Sequence, residues 1–117
     1  MKAIRIHEFG GPEVLKYEES PSPAPGQGQA LIDVQAVGVN FADVSARRGG
    51  ATPPPALPAI PGFEAAGVVS AVGEGAGGIK VGDTVVYWGV RGSYAEQAAV
   101  STDVLVKLPA GLDAKTG

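Results

Sequence analysis

Eighteen glycines and ten prolines are spread through these 117 residues, and they decide what the chain can build. Proline fixes φ and removes a backbone donor, while glycine weakens or bends regular structure. Long helices and long strands do not survive such punctuation. The glycines and prolines follow no fixed period, which excludes collagen-like and repeat architectures. What remains is a series of short strands joined at tight corners.

Residues 3–9 (Ala-Ile-Arg-Ile-His-Glu-Phe) alternate apolar and polar until Gly10-Gly11-Pro12 interrupts them. Residues 14–18 resume the pattern, which predicts an antiparallel hairpin with a loose turn. The Pro21–Gly26 stretch is a proline-rich corner that cannot pair on both sides. Residues 29–37 predict a strand with Leu31, Asp33 and Gln35 on one face and Ile32, Val34 and Ala36 on the other. Asn40 is a good N-cap residue, so residues 41–48 predict a short helix that Gly49-Gly50 ends. Residues 52–58 read as a stiff polyproline loop. Further strands are expected over 67–72, at the end of 79–88, over 94–100 and over 104–108. About seven short strands imply a mostly β barrel or sandwich with short helical turns.

At this length the chain is one domain. Nine basic residues against twelve acidic ones argue against a nucleic-acid partner, which demands a clustered positive face. The only adjacent basic pair is Arg47-Arg48. With no cysteine and a single histidine, a catalytic zinc site is not expected. His7 has no evident partner in the sequence and reads as structural. No apolar run approaches membrane-spanning length and no signal core opens the chain, so a cytoplasmic location without a membrane partner is expected.

Two segments carry chemistry. Gly38-Val39-Asn40-Phe41-Ala42-Asp43 and Pro61-Gly62-Phe63-Glu64-Ala65-Ala66-Gly67-Val68-Val69 resemble the active-site segments of the medium-chain dehydrogenase/reductase family. The turn at residues 80–85 and Gly92-Ser93-Tyr94-Ala95-Glu96 extend the likeness over essentially the whole chain. The resemblance implies a GroES-like, partly open β-barrel over residues 1–112. Within the family the chain is similar to the zinc-independent quinone oxidoreductase branch. Asn40 stands where the zinc enzymes have a cysteine ligand, Phe63 where they have a histidine ligand, and Ala42 where they have a proton-relay hydroxyl. Residues 113–117 read as the start of a connecting helix toward a Rossmann-type, nucleotide-binding domain that is absent here. Gly73-Glu74-Gly75-Ala76-Gly77-Gly78 lies between strands and reads as a turn, not a phosphate loop.

The resemblance implies the substrate-side domain of an NADPH-dependent reductase of quinones or conjugated enones, inactive by itself. Asn40 and Ser45 are the expected catalytic residues, and Asn40 and Phe41 the expected cofactor contacts. Phe63, Tyr87 and Trp88 are expected around the substrate, Asp43 and Glu64 as structural acids that anchor loops, and no metal. The Asn40 side chain could instead simply cap the following turn. The face toward the nucleotide-binding domain should be apolar, which predicts a homodimer or self-association of the lone chain. The alternative is a non-catalytic GroES-like barrel acting as an interaction module.

Overall fold

All strand pairs are antiparallel, as expected where short strands follow one another through tight turns. The computed structural model describes residues 1–50, 54–109 and 112–113. Strands β1 (Lys2–Arg5) and β2 (Lys16–Glu19) form a two-stranded sheet around a short 3-10 turn, Pro12–Val14. The larger sheet contains β3 (Gln29–Val37), β4 (Glu64–Val72), β5 (Thr84–Trp88), β6 (Gln97–Ser101) and β7 (Val106–Lys107), in the order β6-β3-β4-β5-β7. One short helix, α1 (Phe41–Arg47), follows β3.

The register of β3 against β4 shifts twice, between Leu31 and Ile32 and between Val34 and Ala36. Such bulges bend and twist a strand. The small sheet is tied to the rest of the chain by bridges from Ala3 to Ala95 and from Ile6 to Ala59. The result is a partly open barrel: the two sheets do not close into one.

Ile32, Val69, Val85, Tyr87 and Val100, one or two from each of β3 to β6, form the center of the core. Burying each such aliphatic side chain stabilises the fold by about 1.5–3 kcal/mol. The strand alternation expected for β3 holds, with Ile32 buried between half-buried Leu31 and exposed Asp33.

Five elements differ from the sequence expectation. β1 ends at Arg5 rather than at residue 9, and β2 begins at Lys16 because residues 12–14 take a 3-10 turn. β4 begins at Glu64, three residues early, because Ala65 and Ala66 pair with β3 on one side and β5 on the other. Two-sided pairing overrides the weak strand propensity of alanine. β6 begins at Gln97, because residues 94–96 are drawn toward β1: Ile4 N–H donates to Tyr94 O, and Glu96 N–H to Lys2 O. β7 is only two residues, since residues 102–104 take a 3-10 turn capped by the Ser101 hydroxyl. The start of the expected polyproline loop, residues 52–53, and the expected helix start at 114–117 lie outside the described residues.

Candidate functional site at the end of the large sheet

Antiparallel pairing brings the two motif segments side by side. The last residue of β3, Val37, pairs with Ala65, and Glu64 pairs with Trp88 at the end of β5. The end of β3, the start of β4 and the end of β5 therefore share one rim of the sheet. Residues 61–64 are clamped there from both sides. Gly38 N–H donates to Glu64 O at 3.3 Å, while Gly89, Gly92 and Tyr94 N–H donate to Phe63, Gly62 and Pro61 O at 2.7, 3.1 and 3.0 Å.

Asn40 sits at the N-cap of α1 in extended conformation, and its backbone N–H donates to Asp43 Oδ2 at 3.0 Å. Capping geometry of this kind satisfies helix-end donors that have no partner within the helix. The Asn40 carboxamide Nδ2 is buried with no hydrogen-bond partner. A buried donor left unpaired costs about 1–3 kcal/mol, so its persistence asks for an explanation. Asp43 is only 4% exposed, and its Oδ2 also accepts from the Tyr94 hydroxyl. Burial first, and then the Asp43 carboxylate, push the Tyr94 hydroxyl far above the ordinary tyrosine range.

The remaining expected residues are divided. Glu64, Tyr87 and Trp88 border an open groove of about 490 Å³ together with Val37, Gly38 and Val106. Phe63 lines a separate cavity of about 20 Å³ beside Ile60, with the Arg91 guanidinium 5.8 Å above its ring. The three side chains expected around one substrate thus lie in two places. Ser45 borders neither; its hydroxyl lies beside Gly50, on the far end of α1. Val39, Phe41 and Trp88 are all exposed, Phe41 at 82% and Trp88 at 69%. Of the two acids, Asp43 accepts from the Asn40 backbone N–H and from the Tyr94 hydroxyl. Among the described residues the Glu64 carboxylate has no hydrogen-bond or salt-bridge partner, and its carboxyl group and Cγ fill the space beside Gly38. Of the two adjacent arginines, Arg47 binds Gly10 O through Nε at 3.2 Å. His7, unpaired in the sequence reading, meets the Glu18 carboxylate. Among the described residues no three His, Asp or Glu side chains gather as metal ligands, and no helix is long and apolar enough to cross a membrane.

Tyr87 is 4% exposed within the core, its hydroxyl unpartnered, and burial raises its pKa from 10.0 to about 12. The folded state keeps a proton that the unfolded state gives up. Its contribution is therefore whole below pH 10 and is lost as pH rises through 12. Between pH 9 and 11.5 the stability from this group should fall by about 2 kcal/mol. Urea unfolding at both pH values reads the effect, and Tyr87→Phe should show a correspondingly smaller decline. Equal declines in both proteins would refute it.

Comparison with known proteins places this geometry. Residues 26–110 match the family described as alcohol dehydrogenase GroES-like domain. A quinone oxidoreductase from Lama guanicoe is 45% identical over 100% of this chain and 36% of its own length. The mouse synaptic vesicle membrane protein VAT-1 homolog is 40% identical over 93% of this chain and 27% of its own. The crystal structure of Escherichia coli quinone oxidoreductase complexed with NADPH superposes with a TM-score of 0.92 at 39% identity, covering 98% of this chain and 35% of that one. The chain thus spans between 27% and 36% of the length of these relatives. It belongs to the alcohol dehydrogenase GroES-like domain family, whose barrel is that of the medium-chain dehydrogenase/reductases.

Proposed function

We propose that residues 1–112 form the substrate-side domain of a zinc-independent, NADPH-dependent reductase of quinones or conjugated enones, working in the cytoplasm. The observation that carries this reading is the buried, unpartnered Asn40 amide donor in the first of the two motif segments, three residues past the end of β3. A substrate oxygen gaining negative charge is the partner such a donor lacks.

The donor set fits this chemistry. Zinc ligands are thiolates, imidazoles or carboxylates, whereas Asn40 is a neutral amide and Phe63 carries no donor atom. Reduction of a simple carbonyl builds a basic alkoxide, which calls for a Lewis acid. Reduction of a quinone or enone spreads the charge into a phenolate or enolate. A phenol ionises near pH 10, so its anion is stabilised adequately by aligned hydrogen-bond donors. The relatives named as quinone oxidoreductases support the reaction class, and the NADPH complex of the bacterial relative supports the cofactor.

NADPH, when bound, supplies the hydride. In this reading Asn40 and Phe41 stand beside the nicotinamide, and Asn40 Nδ2 donates to the substrate oxygen. The exposed Trp88 indole offers a flat surface for a quinone ring, and Tyr87 lines the same groove beside it. Ser45, which borders neither the groove nor the cavity, supplies at most a second donor, its hydroxyl. A nucleotide-binding domain grips the rest of the dinucleotide and covers the exposed Val39, Phe41 and Trp88. In the lone chain the same apolar face drives self-association, which light scattering would detect.

The test is to join this chain to the remaining two thirds of the E. coli quinone oxidoreductase, in place of its matching part. Benzoquinone-dependent NADPH oxidation by this chimera is expected, with none from the chain alone. A chimera that binds NADPH yet leaves benzoquinone untouched would sink the proposal.

A further inference from the structure

We infer that Asp43 and Tyr94 are a positioning pair that sets the aim of the Asn40 carboxamide, a role that rests on the reductase reading of Asn40. One carboxylate oxygen, Asp43 Oδ2, accepts from the Asn40 backbone N–H and from the Tyr94 hydroxyl. The two donors come from residues 51 positions apart in the chain for the tyrosine and three for the asparagine. Asp43 is thus a junction between α1 and the loop that clamps residues 61–63. Its other oxygen, Oδ1, is buried without a partner, so Asp43 is held through Oδ2 alone.

The tyrosine ring has little freedom. Gly62 holds φ at +103°, and a Cβ there would stand 2.1 Å from Ser93 Oγ and 2.6 Å from Tyr94 Cδ1. Backbone thus lies directly against the ring, which fixes where its hydroxyl can reach. Short charge-assisted bonds to a carboxylate are the stronger kind of hydrogen bond. Rigid ring, carboxylate and Asn40 backbone form one chain of constraint ending at the residue proposed to touch substrate. An error of about 1 Å at such a group can cost up to 100-fold in rate.

Tyr94→Phe keeps the ring and removes only the hydroxyl. In this chain, hydrogen exchange of the Asn40 backbone N–H should accelerate about 10-fold, while Val69 and Val85 in the core keep their protection. In the chimera, kcat should fall about 10-fold with KM for NADPH unchanged, and the loss should vanish in an Asn40→Ala background. Asp43→Asn retains an acceptor oxygen and should recover most of the rate that Asp43→Ala loses. Unchanged exchange at Asn40, or losses that multiply in the double variant, would overturn the inference. A lowered Tm with undiminished kcat would do the same, marking a purely structural staple. If Asn40→Ala itself left kcat untouched, the reductase role of Asn40 would fall and the positioning role with it. The exchange result would then identify the staple independently.

Discussion

Gly67→Ala should lower the Tm of this chain by more than about 10 °C, a large effect for adding one methyl group. Gly67 lies in the middle of β4, paired with Val34 of β3 and Val85 of β5. A Cβ there would stand 2.1 Å from the backbone O of Asp33 and 2.9 Å from its carbonyl carbon. A clash with a flexible side chain can be relieved by a change of rotamer. Here the obstacle is the neighbouring strand itself, so β3 and β4 must separate between the two bulges. Overpacking of this kind costs about 1–3 kcal/mol where side chains can yield, and more where backbone must. Gly78→Ala is the control: its surroundings are open and its φ is not positive. It should be neutral or gain up to about 1 kcal/mol by restricting the unfolded chain. Thermal unfolding by circular dichroism decides, and a Gly67→Ala protein melting within 3 °C of its parent, roughly 1 kcal/mol on the usual scaling, would refute the steric argument.

Asn40→Ala should reduce kcat for benzoquinone in the chimera by roughly 10- to 100-fold, with a loss of stability no larger than that of one N-cap, about 1 kcal/mol. Removing one aligned donor from an oxyanion site costs about 100- to 1000-fold where a tetrahedral intermediate forms. A phenolate is less basic and gains less, hence the smaller figure. The loss of stability should stay near that of one N-cap, because beyond its capping role Asn40 keeps Nδ2 free of any hydrogen bond that the substitution could break. Asn40→Asp should be worse than Asn40→Ala, since it sets a carboxylate against the developing anion and against Asp43. Steady-state kinetics for the three proteins reads the order. Unimpaired turnover by Asn40→Ala would leave Asn40 as a helix cap and nothing more.

Much of this fold was legible because glycine and proline punctuate it. β3 runs from Gln29 to Val37, as its uninterrupted pattern between Gly28 and Gly38 requires. The helix follows Asn40 for the same local reason. Elements set by distant partners were less legible. Glu64 to Ala66 carry no strong strand signal and become strand only by pairing with β3 and β5. Tyr94 to Glu96 looked like the opening of β6 but are claimed by β1 and Asp43. At the site, the proximity of the two motifs follows from antiparallel pairing of their strands. The separation of Phe63 from Tyr87 and Trp88 does not, because alternation tells which side chains share a face and not which of two hollows they border. The link from Asp43 to Tyr94 left no local trace at all; an acid three residues after Asn40 was its only visible half.

The distance along the chain between those two partners has a consequence for how the protein is born. A ribosome adds about 5–20 residues per second. It therefore places Asp43 in the nascent chain roughly 3 to 10 seconds before Tyr94, 51 residues later, exists. Throughout that interval the carboxylate that joins α1 to the clamping loop lacks one of its two donors. No amount of early collapse around β3 and β4 can complete the rim: it is finished only when residue 94 has been made.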